Sequence, residues 1–372
     1  MTQLTGQEFN DAYPNMEFYK ILTQNLKRNN FKYQHGLNID HIPFNPTSTC
    51  SAGGLYFTEL NKLPMWIYSN SIYIVKVTIP INASVYVEAN SFKADQFILD
   101  MNNKVLIQDF YIWANEDFCK QAVKQNAYLI RYVKDQTDEL CKLAVQIMPS
   151  VLRYIKVQTE EICEIAVQED GYALQYVEQQ TNNLCMLAVK KNGISLHSVQ
   201  NQTPEICKLA INQNINALFY VKDQTIEICE MAFALNVRTL EYVKIQTDEL
   251  CKLAVKYDGL ALNYVRDPTD QETYSPLVHM YYGQTDEICA LAVQQNGLAL
   301  QYVRDQTDEI CALAVRQNGL ALQYVKDQTD EICKLAIEQN AKALQYVIAH
   351  TAELAKLDEM YELAIKYDML YA

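Results

Sequence analysis

A thiol recurs through most of this chain at a fixed interval. Cys119, Cys141, Cys163, Cys185, Cys207, Cys229 and Cys251 stand 22 residues apart, and Cys289, Cys311 and Cys333 resume the same spacing. Such a series would suit disulfides or a metal. Disulfides are disfavoured by geometry: equivalent residues on packed neighbouring helices lie roughly 9 Å apart, beyond the ~7 Å Cα limit for a bridge. A metal needs ligands that converge, and neither a CxxC pair nor a recurring His accompanies the thiols. The remaining role is that of a small buried apolar side chain, which implies a reducing compartment.

A second group of reactive residue types lies near the N-terminus: His35, His41, Cys50, Glu59 and Glu88. Cys with His can form a nucleophile pair, and "QHG" followed by "GGLYF" faintly suggests an ADP-ribosyl-transfer pocket. Neither spacing specifies a reaction, and the chain lacks a Gly-rich phosphate loop, HExxH and GxSxG. The reading is therefore non-enzymatic: no catalytic, cofactor-binding or metal-ligating residue is assigned, and no cofactor is expected.

The elements that carry the cysteines follow from the repeat. "CALAVRQNGLALQYVKDQTDEIC" runs from Cys311 to Cys333, and the preceding copy differs only at Gln294 and Arg304, which become Arg316 and Lys326. With cysteine as position zero, Thr occupies −4 in nine copies and Asn115 in the first, usually followed by acidic residues. These are N-cap signals. Apolar residues at −1, 0, +3 and +4 (Ile310, Cys311, Ala314, Val315) then trace a helical stripe. Position +7 is Asn in seven copies and Asp in two, a second N-cap; Pro149 follows at a first helical position. Leu or Ile at +11 and Val or Ile at +14 share a face only in a helix, not in a strand. Each 22-residue unit thus reads as two short helices. Neither reaches the roughly 12–15 residues at which an isolated helix is marginal, so neighbours must bury each other's stripes.

The expected fold is mainly α: an α-solenoid of 22-residue two-helix repeats, right-handed or of hand unspecified by the sequence, behind a small α+β module. Eleven units would make a curved rod on the order of 100 Å long. The expected divisions are an N-terminal helix within 1–30 ("MEFYKILTQNLKRN"), the α+β module at 31–112, the repeats at 113–350, and a capping helix at 351–372. Strands are expected in "GGLYFTEL", "SIYIVKVTIP" and "ASVYVEA". The 38-residue gap from Cys251 to Cys289 reads as a full unit plus a degenerate copy at about 267–284, six residues short.

The array resembles a helical-repeat family of unknown function with an "AVxQNGxALxYA"-like signature, present here as "LAVQQNGLALQYV" at 291–303. That family is expanded in giant DNA viruses of amoebae. The segments "GLNIDHIPFNPTSTCSAGGLYFTEL" (36–60) and "SFKADQFIL" (91–99) resemble a module that precedes ankyrin and other repeats in those viruses. The resemblance implies a repeat fold and a viral setting, in the host cytoplasm or the virion, and no activity.

Net charge is −14. Residues 1–113 are nearly neutral, with 9 acidic and 8 basic groups; the remainder holds 36 acidic and 23 basic. So acidic an array, without a basic stripe, argues against nucleic acid. No apolar run approaches the roughly 18 residues of a membrane span. The expected function is a protein-interaction scaffold, with a structural component of the virus particle as the alternative and an enzyme in 31–110 as a distant third. Tyrosine at +13 reads as packing with a polar tip, and "DQTDE" as helix caps with a solvated acidic ridge. Positions +9 and +12 vary. Candidate partner contacts are His197, Phe219 and Arg238 in the diverged middle copies, and Tyr274, His279, Tyr281 and Tyr282 in the irregular copy.

Overall fold

The computed structural model describes residues 2–28, 31–47, 52–266, 283–348 and 362–366. The chain divides into two compact units, Met1–Gln179 and Gln180–Ala372.

The first unit opens with a sheet region. Its strands are β1 (Thr2–Thr5), β2 (Phe18–Thr23), β3 (Lys27–Arg28), β4 (Phe31–Lys32), β5 (Gly36–Ile39), β6 (Leu55–Glu59), β7 (Ser71–Thr78), β8 (Ser84–Val87), β9 (Phe92–Ala94), β10 (Gln96–Leu99) and β11 (Val105–Leu106). One antiparallel sheet runs β1-β8-β9-β6-β2-β7-β10-β5, with β11 also paired to β7, while β3 and β4 pair separately. The three strands expected from sequence are β6, β7 and β8.

The helix expected in "MEFYKILTQNLKRN" is corrected: that stretch supplies β2, and the helix is α1 (Gly6–Ala12). β2 lies between β6 and β7 and buries Phe18, Tyr19, Lys20, Ile21 and Leu22 in succession. A strand covered on both faces loses its period-2 signature, and the buried lysine disguises it further. The true helix start was legible in "TGQE": Thr5 accepts from the Glu8 N–H, and Glu8 returns a bond to the Thr5 N–H at 2.8 Å, a reciprocal cap. Phe9 on α1 meets Phe18, Phe57 and Phe92, with ring centres 5.0, 5.9 and 5.3 Å away, in the module's core.

From Glu116 onward the chain is helical in tandem. Ten α-helices of ten residues follow among the described residues. In the first unit they are α2 (Glu116–Gln125), α3 (Asp138–Ile147) and α4 (Glu160–Glu169). In the second they are α5 (Asn182–Lys191), α6 (Pro204–Gln213), α7 (Ile226–Leu235), α8 (Asp248–Tyr257), α9 (Asp286–Gln295), α10 (Asp308–Gln317) and α11 (Asp330–Gln339). Each begins on the expected cap, as where Thr159 accepts from the Ile162 N–H. The second element of each pair is a six-residue 3₁₀ helix, such as Gly171–Tyr176, closed by bonds from Ala173 N–H to Asp170 C=O and from Val177 N–H to Leu174 C=O. The +11 and +14 apolar pair suits a three-residue turn as well as an α-turn. Asn or Asp at +7 caps it: Asn192 accepts from the Ile194 N–H at 3.1 Å.

The units on either side of 267–282 pack directly on one another: α8 lies against α9. The Gly259 N–H donates to Gln295 at 2.6 Å, as Gly193 does to Gln213 between adjacent pairs. Lys252 reaches Glu287 as Lys208 reaches Glu227. A Cβ on Gly259 would stand 2.2 Å from the Ala292 carbonyl oxygen. The degenerate copy expected at about 267–284 falls, as far as residue 282, outside the described residues, while Gln284 and Thr285 belong to the α9 pair. Of the expected C-terminal cap at 351–372, only 362–366 are described, and these are helical.

Candidate interaction surface

At seven places a tandem pair is joined to the next through one glutamine, five residues before the cysteine. Gln202 donates to the Leu196 carbonyl at 3.1 Å and to the Tyr220 carbonyl at 3.0 Å, and accepts from the Lys222 N–H at 2.8 Å. Gln136, Gln158, Gln224, Gln246, Gln306 and Gln328 repeat all three bonds. The middle residue of "DQT" thus satisfies backbone groups that two successive 3₁₀ helices would otherwise leave open. Sequence reasoning assigned that motif to caps and solvation. Its signal was the same Gln in nine copies.

The cysteines sit against this glutamine row. All ten are buried and free. Cys311 Sγ lies 3.7 Å from Gln306 Oε1, and Cys185 Sγ 3.7 Å from Gln180 Oε1. Burial raises every thiol above its ordinary value, Cys141 and Cys311 to about 11 and Cys251 to about 12. These are protonated packing groups, not nucleophiles.

The outward chemistry lies on the 3₁₀ helices. Tyrosine at +13 is half-buried in every pair that carries it. In the second unit two of the residues before it, at +12, lie against tyrosines: His197 meets Tyr220 at a tilt with centres 5.7 Å apart, and Phe219 meets Tyr220 at 5.1 Å and Tyr242 at 6.5 Å. Phe219 remains 57% exposed, far beyond what a packing aromatic requires. His197 also bonds the Ile194 carbonyl and the Ser198 hydroxyl. Arg238 Nε donates to Glu241 at 3.2 Å, and the hydrogen bond that the Tyr242 hydroxyl donates to Glu241 raises that phenol above its ordinary value. The structure therefore aligns His197, Phe219 and the Arg238–Glu241 pair along consecutive 3₁₀ helices. Tyr274, His279, Tyr281 and Tyr282 lie outside the described residues.

The first unit carries counterparts that sequence reasoning passed over. Arg131 and Arg153 occupy +12 in the first two pairs. The signal was available in the +12 column, where these are the two arginines. Of the reactive residues in the sheet region, His35 lies 3.7 Å from Asp100 and accepts from the Met101 N–H, while His41 lies 3.7 Å from Asp40 and stacks on Phe31. Glu59 ends β6, and Glu88 accepts from the Ser91 hydroxyl at 2.9 Å. Each makes its own local contacts, and no bond joins one to another among the described residues. Cys50 lies outside them.

The recurring pair is also recognisable by comparison. A family profile described as "Domain of unknown function (DUF4116)" matches residues 307–348. The match begins at Thr307, the cap of α10, and ends after the 3₁₀ helix that follows α11, so it spans two consecutive pairs. No curated protein and no solved structure matches the chain. Among the described residues, no helix is long and apolar enough to cross a membrane.

Proposed function

We propose that the chain is a non-enzymatic scaffold for protein–protein interaction, an α-solenoid of 22-residue units that presents its 3₁₀ helices as a graded surface. The observation that carries this reading is the row at +12 and +13. A uniform, half-buried tyrosine supports a side chain that changes from unit to unit, while the core positions beneath stay the same. Such an arrangement separates folding from recognition, which is how repeat arrays make extended binding surfaces. Partner contact centres on the diverged units between about 193 and 284, where Phe219 stands exposed against Tyr220 and Tyr242 and Arg238 stands exposed beside Glu241; aromatic and arginine side chains dominate binding hot spots. The resemblance to repeats of giant DNA viruses of amoebae supports a viral protein acting in the host cytoplasm or carried in the particle. No membrane, nucleic acid or cofactor enters this reading.

Affinity capture from infected cells, with the full chain as bait, tests it. Discrete host proteins are expected. Recovery of particle proteins alone would favour a structural role in the virion. Replacing Phe219 by Gln together with Arg238 by Leu, the commonest residues at those positions, should weaken a captured partner about tenfold, or about 1.4 kcal/mol, with the melting curve unchanged. Unaltered capture by that variant would place the contact elsewhere.

A further inference from the structure

Arg131 and Arg153 form, with four tyrosines, a preassembled cationic strip on the first unit. Arg131 lies over Tyr132 at 4.6 Å and Tyr154 at 6.0 Å, and Arg153 over Tyr154 at 5.5 Å and Tyr176 at 4.5 Å. The two guanidinium groups thus share the Tyr154 ring. Tyr128 closes on that same ring, with centres 5.6 Å apart, and Trp113 stacks on Tyr132 at 5.4 Å. The base of the strip is tied to the core, because Trp113 is buried and donates to the Ile107 carbonyl at 2.6 Å.

The hydrogen bonds leave donors unused. Arg131 gives one bond, from Nη2 to the Tyr132 hydroxyl at 2.5 Å, while its Nε is buried and has no acceptor among the described residues. Arg153 gives one, from Nε to the Ser150 carbonyl at 2.9 Å. Neither arginine has a carboxylate within ion-pair distance among the described residues. On the same pairs Lys142, by contrast, touches both Asp138 and Glu161. Stacking holds both forks in place, so little side-chain entropy remains to be lost when an anion arrives.

We infer that this strip is a docking site for an extended acidic peptide segment of a protein partner, whose carboxylates engage Arg131 and Arg153. Both guanidinium groups lie near the Tyr154 ring, 6.0 and 5.5 Å from its centre. On an extended chain rising roughly 3.3 Å per residue, carboxylates two or three residues apart reach both. A peptide fits better than a nucleic acid. A polyanion with a phosphate at every nucleotide also meets the exposed Glu116, Asp117, Asp138 and Glu139 of the same pairs. A peptide can place its charges only where the arginines are. The inference rests on the scaffold reading but uses residues separate from Phe219 and Arg238.

The test is fluorescence anisotropy on the full-length protein. The probes are a fluorescein-labelled dodecapeptide of alternating Glu and Ser, its Lys-for-Glu counterpart, and a labelled dodecamer of thymidylate. The Glu peptide should bind saturably and weaken with salt, and the Lys peptide should not bind. Arg131→Gln with Arg153→Gln should weaken the Glu peptide at least tenfold. Arg153→Gln alone, at an exposed side chain whose loss leaves the fold intact, should weaken it at least threefold and so keeps the test valid should the double variant misfold. The inference is overturned by no saturable binding, by equal binding to the variants, or by thymidylate binding that exceeds the peptide's and is lost with the same arginines. If the peptide fails while the Phe219/Arg238 variant still loses its captured partner, the scaffold reading stands without this site.

Discussion

Replacing Gln246 by alanine should loosen the array locally and by a large amount. Gln246 is 5% exposed. Its Nε2 donates to the Leu240 and Tyr264 carbonyls, each at 2.9 Å, and its Oε1 accepts from the Arg266 N–H at 2.8 Å. Alanine removes three bonds at once, each worth about 1 kcal/mol net, and leaves their buried partners open, each costing about 1–3 kcal/mol where water cannot enter. Allowing for water in the vacated space, the cost is about 3 kcal/mol. Unfolding of a tandem array need not be two-state, so a global melt is the wrong ruler. Native-state hydrogen exchange at the Arg266 amide reads the loss where it occurs. The amide should exchange about a hundredfold faster in Gln246→Ala, the change that about 3 kcal/mol of local opening produces. Amides of α11 should barely respond. An acceleration below about threefold, corresponding to under 1 kcal/mol, would mean that the glutamine row is incidental to the cohesion of neighbouring pairs.

Four further outcomes are expected. The array thiols, held neutral by burial, should alkylate slowly in the native state. Because a thiol such as Cys141 is raised from 9.0 to about 11, its contribution to stability should be complete below pH 9 and be lost as pH climbs toward 11, since the unfolded chain releases that proton first; denaturation midpoints measured across this range should fall. Ser195 is fully buried, and its hydroxyl has no partner among the described residues. Ser195→Ala should therefore raise stability by about 1 kcal/mol in urea titration, and a loss would reveal a bond to that hydroxyl. Deleting 267–282 should leave the helical circular dichroism and melting temperature close to those of the full chain, because α8 and α9 already pack directly and a shorter connection costs little entropy; a collapse of the melt would show that this segment is needed for their packing.

The local elements of the array were determined by the sequence. Thr137 or Asn192 before an apolar stripe marks a helix start through bonds a few residues long, and ten repetitions make the signal plain. The burial of the cysteines followed the same way, from the stripe that Cys311 shares with Ala314 and Val315. What tertiary structure decided was every feature that depends on a neighbour. β2 was hidden because both of its faces are buried, from Phe18 to Leu22, so no alternation betrayed it. That α8 packs directly on α9 across the 38-residue cysteine gap shows only in tertiary contacts such as that of Gly259 with Gln295. The bonds of each glutamine to residues 18 and 20 positions onward lie beyond the reach of any local pattern. The arginine strip arises in the same manner: Arg131 and Tyr154 are 23 positions apart in the chain, and only stacking of one pair on the next brings a ring under both guanidinium groups. Period and capping are short-range and are written in each copy. Register between copies is a property of packing, and it is packing that composes the surface.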